Sequence, residues 1–327
     1  MKRTFIFLTF IIIQFFPTIL YAQKSSFLEL PNYKSNVYCF TISQEDYTLY
    51  YSAGDKIVRY SLNQKEVVKV LDIHVDSPVI SIQAKASSDL IFLGTKAGKV
   101  IVISTGTGEQ IFEMDYKSGS VNALAITSDG SSLLCGCENG MVYKHSIEEL
   151  SVVTEFYEHD GPITSIVVSE EKQLIAISSG DGTISLFRQQ TFEWIDKLTV
   201  GKKWVREVVF NENKNRLLSV GDDSRVREWI ISDDKKAQLM HDVRVSKNWV
   251  LCIDVGSEGK VVCWGGLDQV LKVRTDFGTY TQKLKGAILE ANFLYTSSYE
   301  TVVVCCVLGR GIQIVPIKDM KFKSIYY

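Results

Sequence analysis

The chain has 327 residues, 46% of them hydrophobic and 23% charged, and its 36 Lys and Arg nearly balance 38 Asp and Glu. That balance leaves no basic stripe for nucleic acid and no polybasic patch for an anionic membrane, so neither is expected as a partner. The apolar fraction is sufficient for a packed core and excludes a disordered chain.

Residues 1–22 read as a targeting segment. Lys2 and Arg3 form a basic start, Phe5 to Phe16 an apolar stretch, and Pro17 to Ala22 a cleavage region before Gln23. Leu20 stands where a small residue is commoner, and the uncharged run from Thr4 to Gln23 is long enough to span a bilayer. A cleaved signal peptide is the leading reading and an uncleaved anchor the alternative. Cleavage implies export to a periplasm, an envelope or the exterior, with no stable membrane insertion afterwards. Residues 23–327 then form one domain.

The stretch SFLELPNYKSNV that follows closely parallels IFEMDYKSGSV at residues 111–121. This parallel makes residues 26–32 an outer strand. Residues 320–327 (MKFKSIYY) compete for the same position.

From Val37 onward the chain repeats. The unit is clearest from Pro162 to Arg188: an alternating strand, a polar turn, a second strand, a tight Asp181-Gly182 turn and a third strand. Asp-Gly between two alternating runs is a strong hairpin signal, because the turn needs a positive φ that Gly adopts without strain. Counterparts of Gly182 fall at Asp55, Gly98, Gly140, Ser224, Gln269 and Arg310, in steps of 41 to 45 residues. Two residues after each stands Ile57, Val100, Val142, Ile184, Val226, Leu271 or Ile312; the column opening each unit reads Val37, Val79, Val121, Ile163, Val205, Val250 and Ile288. A period near 42 residues with about four short strands per unit predicts an all-β fold, a seven-bladed β-propeller of four-stranded antiparallel blades. Blade 5 carries a longer outer segment, Ile231 to Val245, and blade 7 is the least regular.

Over residues 26–318 the repeats resemble the WD40 family, whose blades tend to carry a His before the inner strand, an Asp in the turn between second and third strands, and a Trp closing the third. Here the Asp recurs as Asp181, Asp223 and Asp268, the His only as His159, and the Trp only as Trp229, in a column reading Tyr60, Ile103, His145, Phe187, Trp229, Arg274 and Val315. No unit has the full set and the Trp-Asp dipeptide is absent. The resemblance implies structural roles for His159, Asp181, Asp223, Trp229 and Asp268.

Seven Cys in an exported chain raise the possibility of disulfides, but all seven fall on first or second strands, where a free thiol behaves as a small hydrophobe. Buried thiols are expected, with at least one disulfide as the alternative. The four His lack partners at metal-ligand spacing, so no metal is expected. No catalytic constellation and no cofactor signature is found. The inner-strand columns are largely apolar, which counts against an enzyme or small-molecule site in the central channel.

The position before each first strand reads Asn36, Pro78, Ser120, Pro162, Trp204, Trp249 and Ala287. In a propeller this column lies in the loops entering each blade, on the top face, so Trp204 and Trp249 should be neighbours with Lys202, Lys203, Arg206 and Lys247 around them. Aromatic and Arg side chains ringed by polar groups are usual anchors of an interaction site. The alternative is that each Trp folds over its own blade and seals the core. Glu138, Asp181, Asp222, Asp223 and Asp268 on the same face add acidic sectors. The expected function is a protein-protein interaction platform in an envelope or extracellular assembly, a monomeric propeller within a complex with other proteins. A propeller enzyme or a glycan or small-molecule binder using the channel is the second reading.

Overall fold

Short runs such as Leu174–Ser179 are apolar or small on both sides, and in the folded chain every residue of that strand is buried. The same holds for Thr48–Ala53 and Ser132–Cys137, so the second strands sit in the middle of the packing. Outer strands such as Gln110–Asp115 alternate exposed with half-buried residues and face water. This gradient from buried to wet is what one small sheet shows when stacked between two others. The computed structural model describes residues 28–43, 46–85, 88–157, 159–256, 259–295, 301–319 and 321–323. The expected targeting segment lies outside them.

Seven antiparallel sheets result, five of them with four strands in sequence order, while blades 6 and 7 each take one strand from a chain end. The first strands of successive blades begin at Phe40, Val79, Val121, Ile163, Val205, Val250 and Ile288. Seven buried apolar clusters fill the seams between neighbouring sheets. The thinnest lies between blades 5 and 6, built from Leu218, Val220, Val250, Ile253 and Trp264. Arg274, which stands in the Trp column of blade 6, is exposed on the same sheet.

Leu28 and Glu29 pair with Ile314 and Gln313, which makes the N-terminal segment the outer strand of blade 7. Leu30 N–H donates to Ile312 O at 2.9 Å, and Tyr51 Oη donates to Pro31 O at 2.7 Å. The competing C-terminal segment goes elsewhere. A short 3-10 turn, Ile317–Asp319, leads to Lys321–Lys323, which pairs with Gly278–Lys283 as a fifth strand of blade 6.

Side chains also lace the seams. Ser52, Ser81, Asn122 and Thr164 donate to the carbonyls of Val79, Val121, Ile163 and Val205 in the next blade, at 3.4, 2.8, 3.0 and 2.6 Å. All seven Cys are buried and free. Four act as donors across seams: Cys39 Sγ to Val79 O at 3.8 Å, Cys252 Sγ to Ile288 O at 3.9 Å, Cys263 Sγ to Ala291 O at 3.9 Å and Cys306 Sγ to Val37 O at 3.2 Å. The thiols are therefore packing residues with weak hydrogen bonds.

The hairpin turns follow the expected chemistry. Gly140 and Gly182 have φ of +87° and +86°, and a Cβ on either would strike the carbonyl of His159 or Gly201 in the loop crossing above. Glycine is required there twice over, by conformation and by close approach. Ser224 and Gln269 hold the same left-handed position at φ of +68° and +62° without that relief.

Candidate functional site: the top face of blades 5 and 6

In six blades the first strand slips register just after its opening residue, at Ile80, Asn122, Thr164, Arg206, Leu251 and Leu289. Such a bulge re-aims one side chain and increases local twist. All six of these residues line the mouth of a central cavity of about 640 Å³. The bulge in blade 5 thus delivers Arg206 to the channel mouth.

Arg206 organises the site. Its Nε donates to Asp222 Oδ1 at 2.6 Å and its Nη2 to Oδ2 at 2.8 Å, a two-pronged pairing in which the Asp222 side chain is only 8% exposed. The guanidinium carbon lies 4.4 Å from the ring centre of Trp204 and 5.2 Å from that of Trp249. Both distances are within cation–π range, so one cation bridges the two indoles. Trp204 and Trp249 nevertheless remain 38% and 43% exposed. Trp204 leans across to blade 4 instead of folding over its own sheet: a Cβ on Gly180 would come within 2.9 Å of its indole. Lys202, Lys203 and Lys247 are exposed in the loops before the two Trp and form no ion pair among the described residues. The structure therefore brings Trp204, Trp249 and Arg206 together and leaves the three lysines around them in solvent. The Arg206–Asp222 pair joins two residues that the sequence suggests only as separate basic and acidic features.

The turn aspartates share one geometry. Asp181, Asp223 and Asp268 each accept the backbone N–H two residues ahead, at 2.9, 3.2 and 3.1 Å, which closes an Asx turn. The second oxygen of each reaches a further partner: His159 Nδ1 at 2.9 Å, Arg227 Nη2 at 2.6 Å and Ser246 Oγ at 2.9 Å. Burial works against ionisation of Asp181, but its bonds to Thr183 and to fully buried His159 outweigh it and hold the carboxyl below the ordinary range. Trp229 Nε1 donates to Ser219 Oγ at 3.0 Å inside its blade. His145, in the Trp column of blade 3, is buried and meets the hydroxyl of Tyr116; burial pushes its imidazole down to about 4, so it stays neutral.

The channel wall corrects one expectation. Beside the apolar columns stand three carboxylates, Glu207, Asp254 and Glu290, on consecutive blades. Each accepts a main-chain N–H from the next blade: Ile253 N at 2.7 Å, Phe293 N at 2.7 Å and Phe40 N at 3.0 Å. They lace the seams between blades 5 and 6, 6 and 7, and 7 and 1. Burial raises all three carboxyls, Asp254 to about 6, Glu290 to about 8 and Glu207 well above the ordinary value. A sequence signal existed: the third position of each unit reads Cys39, Ser81, Ala123, Ser165, Glu207, Cys252 and Glu290, with two acids in an otherwise small column. Among the described residues no group of three or more His, Cys, Asp or Glu is arranged to hold a metal ion.

Seven antiparallel blades, six of four strands and one of five, closed by an N-terminal strand and with an exposed aromatic–Arg cluster on the loop face, define a closed propeller. A family profile for the anaphase-promoting complex subunit 4 WD40 domain matches residues 84–171. The chain is 21% identical over 236 residues to apoptotic protease-activating factor 1 of Danio rerio, covering 71% of this chain and 18% of that protein. It is 22% identical over 121 residues to polyadenylation factor subunit 2 of Candida albicans, covering 37% and 22%. WD repeat-containing protein 55 of Arabidopsis thaliana is 20% identical over 167 residues, covering 50% and 47%. The matches span from about a fifth to about half of the relatives' own length. The chain is a seven-bladed β-propeller whose repeats are similar to those of WD40 domains and WD-repeat proteins.

Proposed function

We propose that the chain is a non-enzymatic protein-interaction platform, exported through its N-terminal segment, that serves as one propeller within an envelope or extracellular assembly. Its docking site is the sector of Trp204, Arg206 and Trp249, flanked by Lys202, Lys203 and Lys247. WD40 propellers are typically protein-interaction scaffolds, which supports the general class. The observation that carries the site is the fixed pair of indoles: both are more than a third exposed, yet one guanidinium held by buried Asp222 immobilises them. Rigid aromatic area is what an interface hot spot needs, because little side-chain entropy remains to be lost on binding. The channel carboxylates do not favour the enzymatic reading. Each is already engaged by a main-chain N–H of the next blade, a fastening role.

The test is affinity capture from native envelope and secreted fractions, comparing the wild type with Trp204→Ala/Trp249→Ala. The expected result is a stoichiometric protein partner lost in the variant, with the unfolding midpoint within a few degrees of the wild type. A partner retained by a normally folded variant removes this sector from the proposal, and capture of none by either protein removes the platform reading. The mature N-terminus should be Gln23; a chain beginning at Met1 in the exported fraction overturns the cleaved signal.

A further inference from the structure

An aromatic pair with a cation between it can be read in two opposite ways. Two exposed indoles invite a cationic group from a partner, whereas an Arg with lysines around it invites an anionic one. The geometry decides between them. The space between Trp204 and Trp249 already holds the guanidinium of Arg206, at 4.4 and 5.2 Å from the two ring centres. Asp222 fixes that guanidinium by taking Nε and Nη2, so a partner's cation would have to displace a two-pronged pairing with a mostly buried carboxylate. The third nitrogen, Nη1, has no protein partner among the described residues, and the residue lines the channel mouth.

The charge around it points the same way. Asp222 neutralises Arg206, but Lys202, Lys203 and Lys247 are exposed and without an ion pair among the described residues, which leaves this sector positive. Some other lysines on the loop side have acidic partners, Lys56 with Asp72, Lys99 with Asp76 and Glu113, and Lys272 with Asp268, whereas these three have none among the described residues. Burial disfavours the charged forms of Glu207, Asp254 and Glu290 in the cavity wall, which reduces the negative charge near the mouth.

We infer that the partner presents an anionic side chain, a carboxylate or a phosphoryl group on an extended acidic segment, to Arg206 Nη1, with its apolar neighbours lying on Trp204 and Trp249. This inference rests on the docking reading above and adds the chemistry of what docks. Charge-assisted hydrogen bonds to the open nitrogen give orientation, the three lysines steer the approach, and the indoles supply buried area. Such a site rejects a basic segment twice, by repulsion from the lysines and because its aromatic slot is filled.

The experiment uses fluorescein-labelled ten-residue peptides and the exported full chain, read by fluorescence anisotropy at 50 and 300 mM salt. One peptide alternates Glu with Leu and Ser, one carries phosphoserine in place of Glu, and one carries Lys in place of Glu. The expected result is binding of one or both acidic peptides, weakened about tenfold or more at the higher salt, and none of the Lys peptide. Arg206→Gln should reduce acidic binding about tenfold, and Lys202→Ser/Lys203→Ser/Lys247→Ser, which leaves the Arg206–Asp222 pair intact, should reduce it and flatten its salt dependence. The ratio between the two acidic peptides identifies carboxylate or phosphoryl as the group preferred. Preference for the Lys peptide, no binding of either acidic peptide, or acidic binding unchanged in both variants overturns the inference. If a captured partner is lost in Trp204→Ala/Trp249→Ala while no acidic peptide binds, the docking face stands and the anionic chemistry falls.

Discussion

Glu290 offers the sharpest test of the seam lacing. Its carboxylate accepts the Phe40 N–H at 3.0 Å and so ties blade 7 to blade 1, the seam at which the ring closes. Burial pushes its folded-state pKa up to about 8, from an ordinary value of 4.5. Between those values the folded chain holds a proton that the unfolded chain has released, so folding stability must fall as pH rises through that window. The limiting slope is about 1.4 kcal/mol per pH unit for one group, and from pH 6 to pH 8 Glu290 alone contributes a loss of up to about 2–3 kcal/mol. Asp254, pushed up to about 6, adds its share only below that pH. Glu290→Gln keeps an acceptor for Phe40 and removes the charge. Urea unfolding at pH 6, 7, 8 and 8.5 should show a declining wild-type stability, a flatter profile for Glu290→Gln, and a variant more stable than the wild type at pH 8.5. A wild-type profile that is level from pH 6 to pH 8, or a variant as steep as the wild type, would refute the reasoning.

Asp181 accepts hydrogen bonds from Thr183 N, Thr183 Oγ1, His159 Nδ1 and Asp160 N. Asp181→Ala should therefore destabilise the chain by about 2–4 kcal/mol while leaving peptide binding at Trp204 and Trp249 intact; denaturant unfolding with a binding control measures both, and a stable variant that loses binding contradicts the structural role. The two ends of the chain should behave unequally. Deleting residues 1–30 removes the outer strand of blade 7 and buried Leu30, and should lower stability by about 3 kcal/mol or more. Deleting 320–327 removes only the fifth strand of blade 6 and should cost about 1 kcal/mol or less. Thermal unfolding with size-exclusion chromatography checks the pair, and equal effects would contradict the assignment of the closing strand.

Much of the architecture was legible because blade packing repeats every 42 residues or so. Val37, Val79, Val121, Ile163, Val205, Val250 and Ile288 all occupy one place in seven equivalent seams, and a repeated burial requirement writes itself into a column. The parallel between residues 26–32 and an outer strand identified the closing segment for the same reason. The channel acids were not legible. Burying a carboxylate is normally unfavourable, and the N–H groups that make it tolerable belong to Ile253, Phe293 and Phe40, far away in sequence. The docking sector was half legible. The loop column places Trp204 and Trp249 on adjacent blades, but a register slip aims Arg206 between them, and no periodicity in composition reports a bulge.

The closing strand also governs the order of assembly. Leu28 pairs with Ile314, so this early segment must wait for nearly the whole propeller before it finds its partner. During vectorial synthesis, blades 1 to 6 can form hairpin by hairpin from local contacts, which are kinetically cheap to make. Blade 7 remains three-stranded, with Ile312 and Ile314 on an open edge, until a contact of very high sequence separation is made. That late step is the window in which the chain is most exposed to strand exchange with another copy, and a holdase acting on the unclosed ring would act there.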